Sequence, residues 1–162
     1  MKSSEITKSK VLQEAITLFN TKGYRATSLS DITNATGLTK GAIYRHFENK
    51  EQLEIEAFQN MMHSIFNILQ KKIKAENNTR DKLFCVLELF QDYINNPFFS
   101  GGCPLLNVST EVDDTSMVLK DKALQALTVI RNSIETIVIN GKTHKEVNEK
   151  KKKKLVAIVM IS

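Results

Sequence analysis

The chain of 162 residues is 41% apolar and 25% charged, with a net charge of +5, which excludes an intrinsically disordered protein. With two prolines, six glycines and no tryptophan it is poor in helix-breaking residues, so we predict an all-α fold. No apolar run is long enough to span a membrane, and the first residues lack the apolar stretch of a signal peptide, so we expect a cytoplasmic protein.

Two helices are predicted at the start of the chain, of which the second is short. Apolar residues at spacings of three and four predict a first helix over about residues 6–22, which Gly23 ends in a left-handed conformation. Ser28 begins the second helix, with Asp31 three positions later in a variant of the capping box. Gly37 ends this helix and supplies a tight turn.

The third and fourth helices follow directly. Thr39 is the predicted N-cap of a third helix that runs to about Phe47. Asn49 caps the fourth helix, whose apolar residues keep helical phase almost to Lys74. A polar break at residues 77–79 separates the fourth helix from the fifth.

A fifth helix is predicted from about Arg80 to Asn95. The apolar residues on one side of it are Leu83, Leu87, Phe90 and Ile94. Residues 96–97, Asn-Pro, end this helix because the residue before a proline avoids helical backbone angles.

Three more helices are predicted in the remainder of the chain. Pro104 suits the first turn of a sixth helix, which extends to about Val112. Residues 113–115, Asp-Asp-Thr, are the predicted cap of a seventh helix, which stays apolar on one side until Gly141. An eighth helix is expected to begin near Lys145 and to run to the last residue given.

The second and third helices are predicted to form a helix-turn-helix. The apolar residues that fall where these two helices must pack are Ile32, Leu38, Ile43 and Phe47. The face left over on the third helix mixes small residues, which allow close approach to base edges, with donors that reach phosphates. Its members are Lys40, Gly41, Ala42, Tyr44, Arg45 and His46. Such a helix fits the major groove of DNA, which is ~12 Å wide.

The charge distribution agrees with this interpretation. Residues 1–50 carry eight lysines and arginines against four acids, whereas residues 51–149 carry ten against fourteen. A basic start followed by an acidic remainder fits a phosphate-facing module joined to a part that does not touch DNA.

Segments 27–32, 37–47 and 49–51 resemble the signature of the TetR family of bacterial transcriptional regulators. The most specific part is the Gly-x-x-Lys-Gly-x-x-Tyr-x-His-Phe pattern that begins at the predicted turn. The resemblance implies a helix-turn-helix DNA-binding domain over residues 1–49. It also implies a helical ligand-binding and dimerisation domain over residues 50–162, which is incomplete compared with the family's usual two final helices.

The resemblance assigns roles on the DNA-binding surface position by position. Phosphate or sugar contacts are implied for Thr27 and Ser28, and phosphate contacts for Tyr44, His46 and Lys50. The base-facing positions of the family match Lys40, Gly41 and Ala42. Arg45 is expected to reach a base edge or the DNA backbone, or to be a solvated surface arginine. The alternatives for Tyr44 and His46 are partial burial in the core and a merely exposed ring, respectively.

A ligand pocket enclosed by the fourth to eighth helices is also implied. The candidate lining residues are Met62, Phe66, Phe84, Phe90, Tyr93, Phe98, Phe99 and Cys103. The alternative for each is ordinary core packing, because apolar residues at helical spacing are typical of any helical core. Both cysteines of the chain are expected to be free thiols. Segment 102–107, with Glu111 after it, resembles a segment found in some family members.

The end of the given sequence is unusual for the family. Residues 150–154 are five lysines, followed by seven apolar residues at 155–161. Three interpretations stay open: the apolar segment packs on its own chain, completes a reduced dimer interface, or is what remains of a truncated product. The lysine run is either a solvated face or a second DNA contact.

The function implied by the resemblance is a two-state switch. An unknown small apolar effector would bind the second domain and separate the two DNA-binding domains of a homodimer from a palindromic operator in double-stranded DNA. The alternative is a DNA-binding activator or a nucleoid-type binder without an inducer. We expect no enzyme, cofactor, metal site or membrane partner, since no catalytic or metal-binding motif occurs in the sequence. Lys40→Ala should weaken specific binding, and Lys50→Ala should weaken binding to all DNA.

Overall fold

The computed structural model describes residues 3–95, 97–111 and 116–147, without the side chains of residues 3 and 93–95. The described elements are all α-helical, as predicted. They are α1 (Ser3–Lys22), α2 (Leu29–Thr36), α3 (Lys40–Tyr44), α4 (Lys50–Ala75), α5 (Thr79–Asn95), α6 (Pro104–Glu111) and α7 (Met117–Thr143). Within the described ranges, no helix combines the length and the apolarity that crossing a bilayer requires.

The predicted ends of the first two helices are confirmed. Gly23 follows α1 with a φ of 98°, and its N–H donates to the Phe19 carbonyl at 3.1 Å. Gly37 follows α2 with a φ of 68°, and its N–H donates to the Thr33 carbonyl at 2.9 Å. Glycine adopts such left-handed angles without the steric cost of a Cβ, so both helices stop where the sequence indicates.

The third helix is shorter than predicted, because it ends at Tyr44 rather than near Phe47. After Tyr44 the backbone forms a tighter turn. The N–H groups of His46 and Phe47 both donate to the Ile43 carbonyl, at 2.9 and 3.2 Å. This turn directs the Phe47 ring into the core, where it is almost completely buried. Burial of an aromatic ring thus outweighs continuation of the helix.

One apolar core extends through the described chain. α1 packs against α2 and α4, and α2 packs against α3. α4 also contacts α5, α6 and α7, so it links the two ends of the molecule. We call residues 3–49 the N-terminal unit and residues 50–147 the body. The start of α4 coincides with the domain boundary expected from the sequence.

The apolar side predicted for the fifth helix is not the buried one. The residues of α5 that enter the core are Cys85, Val86 and Leu89. Leu87 and Phe90, on the predicted side, are 61% and 48% exposed. Apolar residues occur all around this helix, so periodicity alone could not identify the face that α4 and α7 cover.

Ser116 is the N-cap of α7, and its Oγ accepts a hydrogen bond from the Leu119 N–H at 3.2 Å. The predicted cap at 113–115 lies outside the described residues. The helix continues past Gly141, where a Cβ would lie 2.2 Å from the Thr79 Oγ1 at the start of α5. The predicted eighth helix falls mostly outside the described residues, as do the lysine run and the apolar segment after it.

Candidate nucleic-acid interface

The candidate interface is built on α2, the turn at Gly37 and α3. Ile32 and Ile43 are completely buried and join the two helices through the core. The Thr39 Oγ1 accepts a hydrogen bond from the Ala42 N–H at 3.2 Å and so caps the first turn of α3. The predicted packing and capping of this motif are confirmed, and they set which face of α3 points outward.

The outward face of α3 carries the residues predicted for it. Lys40, Gly41, Tyr44 and Arg45 are exposed, and Ala42 and His46 are half-buried. Tyr44 is 46% exposed, so a large part of its ring faces solvent. The His46 ring lies edge-on to the buried Phe47, with 6.5 Å between ring centroids. The face therefore combines cationic and aromatic donors with small residues, which is the chemistry that DNA contacts use.

Gly41 is the most open position on this face. A Cβ placed there would meet no atom within 4 Å outside the backbone of its own helix. The fold therefore does not require glycine at this position, whereas close approach to a base edge would.

Ser28 and Asp31 form a complete capping box at the start of α2. The Ser28 Oγ accepts from the Asp31 N–H at 3.1 Å, and the Asp31 carboxylate accepts from the Ser28 N–H at 2.7 Å. Lys22 reaches the same carboxylate at 2.8 Å, which ties the end of α1 to α2. Hydrogen bonds from Lys22 and Ser28 hold the pKa of Asp31 well below its usual range. Ser28 is exposed and remains a predicted DNA contact.

Asp31→Asn should destabilise the protein in a pH-dependent way. Because the pKa of Asp31 is lower in the folded chain than in the unfolded chain, its carboxylate stabilises the fold above the unfolded value of about 4. That contribution is lost as the pH falls through the folded value. Urea unfolding should therefore show the largest difference between variant and native chain near neutral pH, shrinking with acidification. The control is Asp121→Asn on α7; a difference for Asp31→Asn that stays constant with pH would contradict this assignment.

Thr27 is a correction to the predicted contact set. It is completely buried, and its hydroxyl donates to the Gly23 carbonyl at 2.6 Å. Its N–H donates to the same carbonyl at 3.1 Å. Both donors of Thr27 are used inside the protein, so this residue shapes the loop between α1 and α2 and is not available to a phosphate.

Lys50 makes several contacts within the protein. Its Nζ donates to the Tyr24 carbonyl at 2.7 Å, lies 3.0 Å from the Glu54 carboxylate and sits 5.9 Å from the centre of the Phe19 ring. Burial raises the pKa of Glu54, in spite of the nearby ammonium. The Lys50 side chain is 32% exposed in spite of these contacts, and its phosphate contact stays a prediction.

The body contains an open cleft of about 860 Å³ between α4, the start of α5 and the second half of α7. Its apolar lining residues are Phe66, Leu69, Ile73, Val129 and Ile137. Its uncharged polar side chains include Gln70, Asn132, Ser133, Thr136 and Asn140. Lys74, Lys82, His144 and Glu146 add charge. These polar residues of α7 were not identified from the sequence as lining a cleft.

Of the residues predicted to line a pocket, Phe66 lies in the cleft. Met62 is buried in the core, and Phe98, Phe99 and Cys103 are half-buried against it. Phe84 and Phe90 are exposed on α5, and the side chain of Tyr93 lies outside the described part of the chain. The structure thus does not bring the predicted set together. No cluster of His, Cys, Asp and Glu within the described ranges is placed to hold a metal ion.

Comparisons with known proteins place both parts of the chain in one family. Residues 11–57 match the family model for bacterial regulatory proteins of the tetR family, and residues 79–162 match that for the tetracyclin repressor-like C-terminal domain. The chain is 32% identical over 83 residues to the biofilm operon icaADBC HTH-type negative transcriptional regulator IcaR of Staphylococcus epidermidis. That match covers 51% of this chain and 44% of IcaR, so less than half of this curated relative is spanned.

Solved structures extend the similarity to most of the chain. A TetR-family transcriptional regulator from Cytophaga hutchinsonii superposes with a TM-score of 0.85 at 34% identity, covering 99% of this chain and 82% of that one. A TetR transcriptional regulator from Chloroflexus aurantiacus gives a TM-score of 0.87 at 36% identity, covering 92% and 75% of the two chains. The shared fold therefore includes the N-terminal unit and the body.

Proposed function

Because the chain belongs to the TetR family of transcriptional regulators, which are DNA-binding proteins and not enzymes, we propose that it is a repressor released from its operator by a small effector. The outward face of α3 is the observation that supports DNA binding. Ile43 is completely buried, whereas Lys40 and Tyr44 on the same short helix, and Arg45 directly after it, are exposed. A helix held in this way presents its donors to the major groove.

The direction of regulation rests on the relatives. IcaR is described as a negative regulator, and it matches 83 residues of this chain at 32% identity. A repressor of this type needs to bind its operator in one state and to leave it in another. We propose that the second state is induced by a ligand in the body.

The cleft between α4, α5 and α7 is the proposed effector site. Its volume of about 860 Å³ lies within the usual range for small-molecule pockets, about 300–1,000 Å³. Apolar side chains such as Phe66 and Ile137 would cover a small apolar ligand, and the polar residues of α7 would orient it. α4 lines the cleft and begins directly after the N-terminal unit. A ligand in the cleft would therefore contact the helix that connects the body to the N-terminal unit.

A homodimer on a palindromic operator is the proposed assembly. Two copies of α3 would enter successive major grooves on one side of the DNA, ~34–36 Å apart. An effector that changes this spacing would reduce affinity without touching the contact residues.

Lys40→Ala tests the proposed contact surface. An operator is first selected from random duplexes with the native protein, and binding is then measured by fluorescence anisotropy over a range of salt concentrations. Lys40→Ala should weaken operator binding about tenfold, the effect of one lost base or phosphate contact. Lys71→Ala, at an exposed lysine of α4 in the body, is the matched control and should leave both the operator affinity and its salt dependence unchanged. Equal operator affinity for Lys40→Ala and the native chain would contradict the proposed contact surface.

Footprinting on the DNA upstream of the gene separates the functions. A short palindromic footprint that disappears on addition of a compound supports the proposed repressor. A footprint that persists while transcription rises would indicate an activator. Diffuse, salt-sensitive protection of all DNA would indicate a nucleoid-type binder.

A further inference from the structure

A network of polar contacts joins α6 to the end of α1, apart from the shared core around α4. Asn20, near the end of α1, is only 4% exposed. Its Nδ2 donates to the Ser100 carbonyl at 2.7 Å and to the Gly102 carbonyl at 2.9 Å. A buried amide in contact with two carbonyls of a distant loop fixes that loop on α1, because a buried donor left without a partner is costly.

Asn107 on α6 completes the same contact from the body. Its Nδ2 lies 3.0 Å from the Asn20 Oδ1 and 3.1 Å from the Asn20 carbonyl, and it also donates to the Gly101 carbonyl at 3.0 Å. Gly101 has a φ of 93°, and a Cβ there would lie 2.1 Å from the Asn20 carbonyl. The two backbones therefore touch, with no space for a side chain between them.

Glu111, at the end of α6, holds the segment that follows α1. Its Oε2 accepts from the Tyr24 N–H at 2.7 Å and from the Arg25 N–H at 3.3 Å. A Cβ on Gly23 would lie 2.8 Å from the Glu111 Oε1, so the carboxylate fits closely against the turn. Hydrogen bonds to a carboxylate are stronger than those between neutral groups.

The opposite side of α6 faces the body. Leu105 and Val108 are buried in the core, and α6 contacts α4 and α7, the two helices that line most of the cleft. α6 is thus packed on the cleft helices through apolar side chains and bound to the N-terminal unit through polar ones. Close-packed apolar contacts on one side and directional hydrogen bonds on the other can both transmit a displacement, so α6 connects the cleft helices with the N-terminal unit.

We propose that Asn20, Asn107 and Glu111 are positioning residues that fix the orientation of the N-terminal unit on the body, so that a displacement of α6 is passed through α1 to α3. This inference rests on the proposed function. It also accounts for segment 102–107 and Glu111, which the sequence singles out and DNA contact does not explain. None of the three residues lies on the outward face of α3, so their effect on DNA binding is indirect.

The test compares Asn107→Ala and Glu111→Ala with Ser109→Ala, whose hydroxyl bonds only within α6 in the described structure. Hydrogen–deuterium exchange of residues 20–27 reports whether the contact holds the end of α1. The ratio of affinities for the selected operator and for the same operator with two base pairs inserted between its half-sites reports orientation. Both Ala variants should exchange faster in that segment and lose about fivefold or more of the spacing ratio. Glu111→Gln, which keeps one acceptor, should retain most of it.

Two results would overturn the proposal, and a third would refute the proposed function. Faster exchange with an unchanged spacing ratio would mean that the network is only structural and would overturn the proposal. Unchanged exchange in both Ala variants would overturn it as well. Failure of the native protein to select any operator would refute the proposed function itself, and that result is distinguishable because it does not depend on the variants.

Discussion

Gly41→Leu should abolish specific operator binding while leaving the fold intact. A Cβ at this position would lie on the exposed face of α3 and would meet no atom within 4 Å outside the backbone of its own helix. Leucine also favours a helix over glycine by roughly 0.8 kcal/mol, so the free energy of unfolding should stay equal or rise slightly. On the DNA side, a leucine would hold α3 away from the base edges, and affinity should fall about a thousandfold, towards the level of non-specific binding.

Anisotropy with the selected operator and urea unfolding of the same samples measure the two effects. Asn67→Leu, an exposed site on α4 in the body, is the matched control for the added apolar side chain. Operator affinity close to that of the native chain would show that α3 does not approach the bases. A large loss of stability would show instead that the position is not open.

Phe47→Ala should have the largest effect on stability. The ring is 1% exposed, and it fills the space under the turn that ends α3, with the Lys8 ammonium 5.2 Å from its centre. Removing a buried phenylalanine ring costs about 3–5 kcal/mol, through lost burial and the cavity that remains. That is a large share of the about 5–15 kcal/mol by which a typical domain is stable.

The expected shift is measured by urea unfolding followed by circular dichroism. Leu87→Ala on α5 is the control, because Leu87 is 61% exposed and its loss should cost less than about 1 kcal/mol. If the two variants lose similar stability, Phe47 does not anchor α3. Phe47→Ala should also weaken operator binding. In this variant the loss of binding accompanies a loss of stability, whereas in Gly41→Leu binding is lost without a loss of stability.

The DNA-binding surface was predictable where its signals are local. Capping residues, the glycine at a turn and helical spacing act over a few positions, so Ser28, Gly37 and Thr39 were assigned correctly from the sequence. The same spacing placed Lys40 and Tyr44 on the side of α3 opposite the buried Ile43.

Thr27 and Lys50 were predicted as exposed donors, but in the structure both donate to backbone carbonyls of the protein. The Lys50 ammonium binds the Tyr24 carbonyl, 26 positions earlier, and nothing near Lys50 in the sequence announces that partner. Thr27 bonds back to Gly23, in a loop whose path depends on how α1 meets α2. Residue type alone suggests an exposed donor in both cases.

By itself the sequence determined the all-α fold, the helix ends in the N-terminal unit and the outward face of α3, since these depend on backbone preferences and helical spacing. Only the tertiary structure decided which side of α5 is buried, where the cleft lies, and that Asn107 and Glu111 reach the end of α1. These features arise where helices distant in sequence meet, and the packing that selects among several apolar faces is a property of the assembled core.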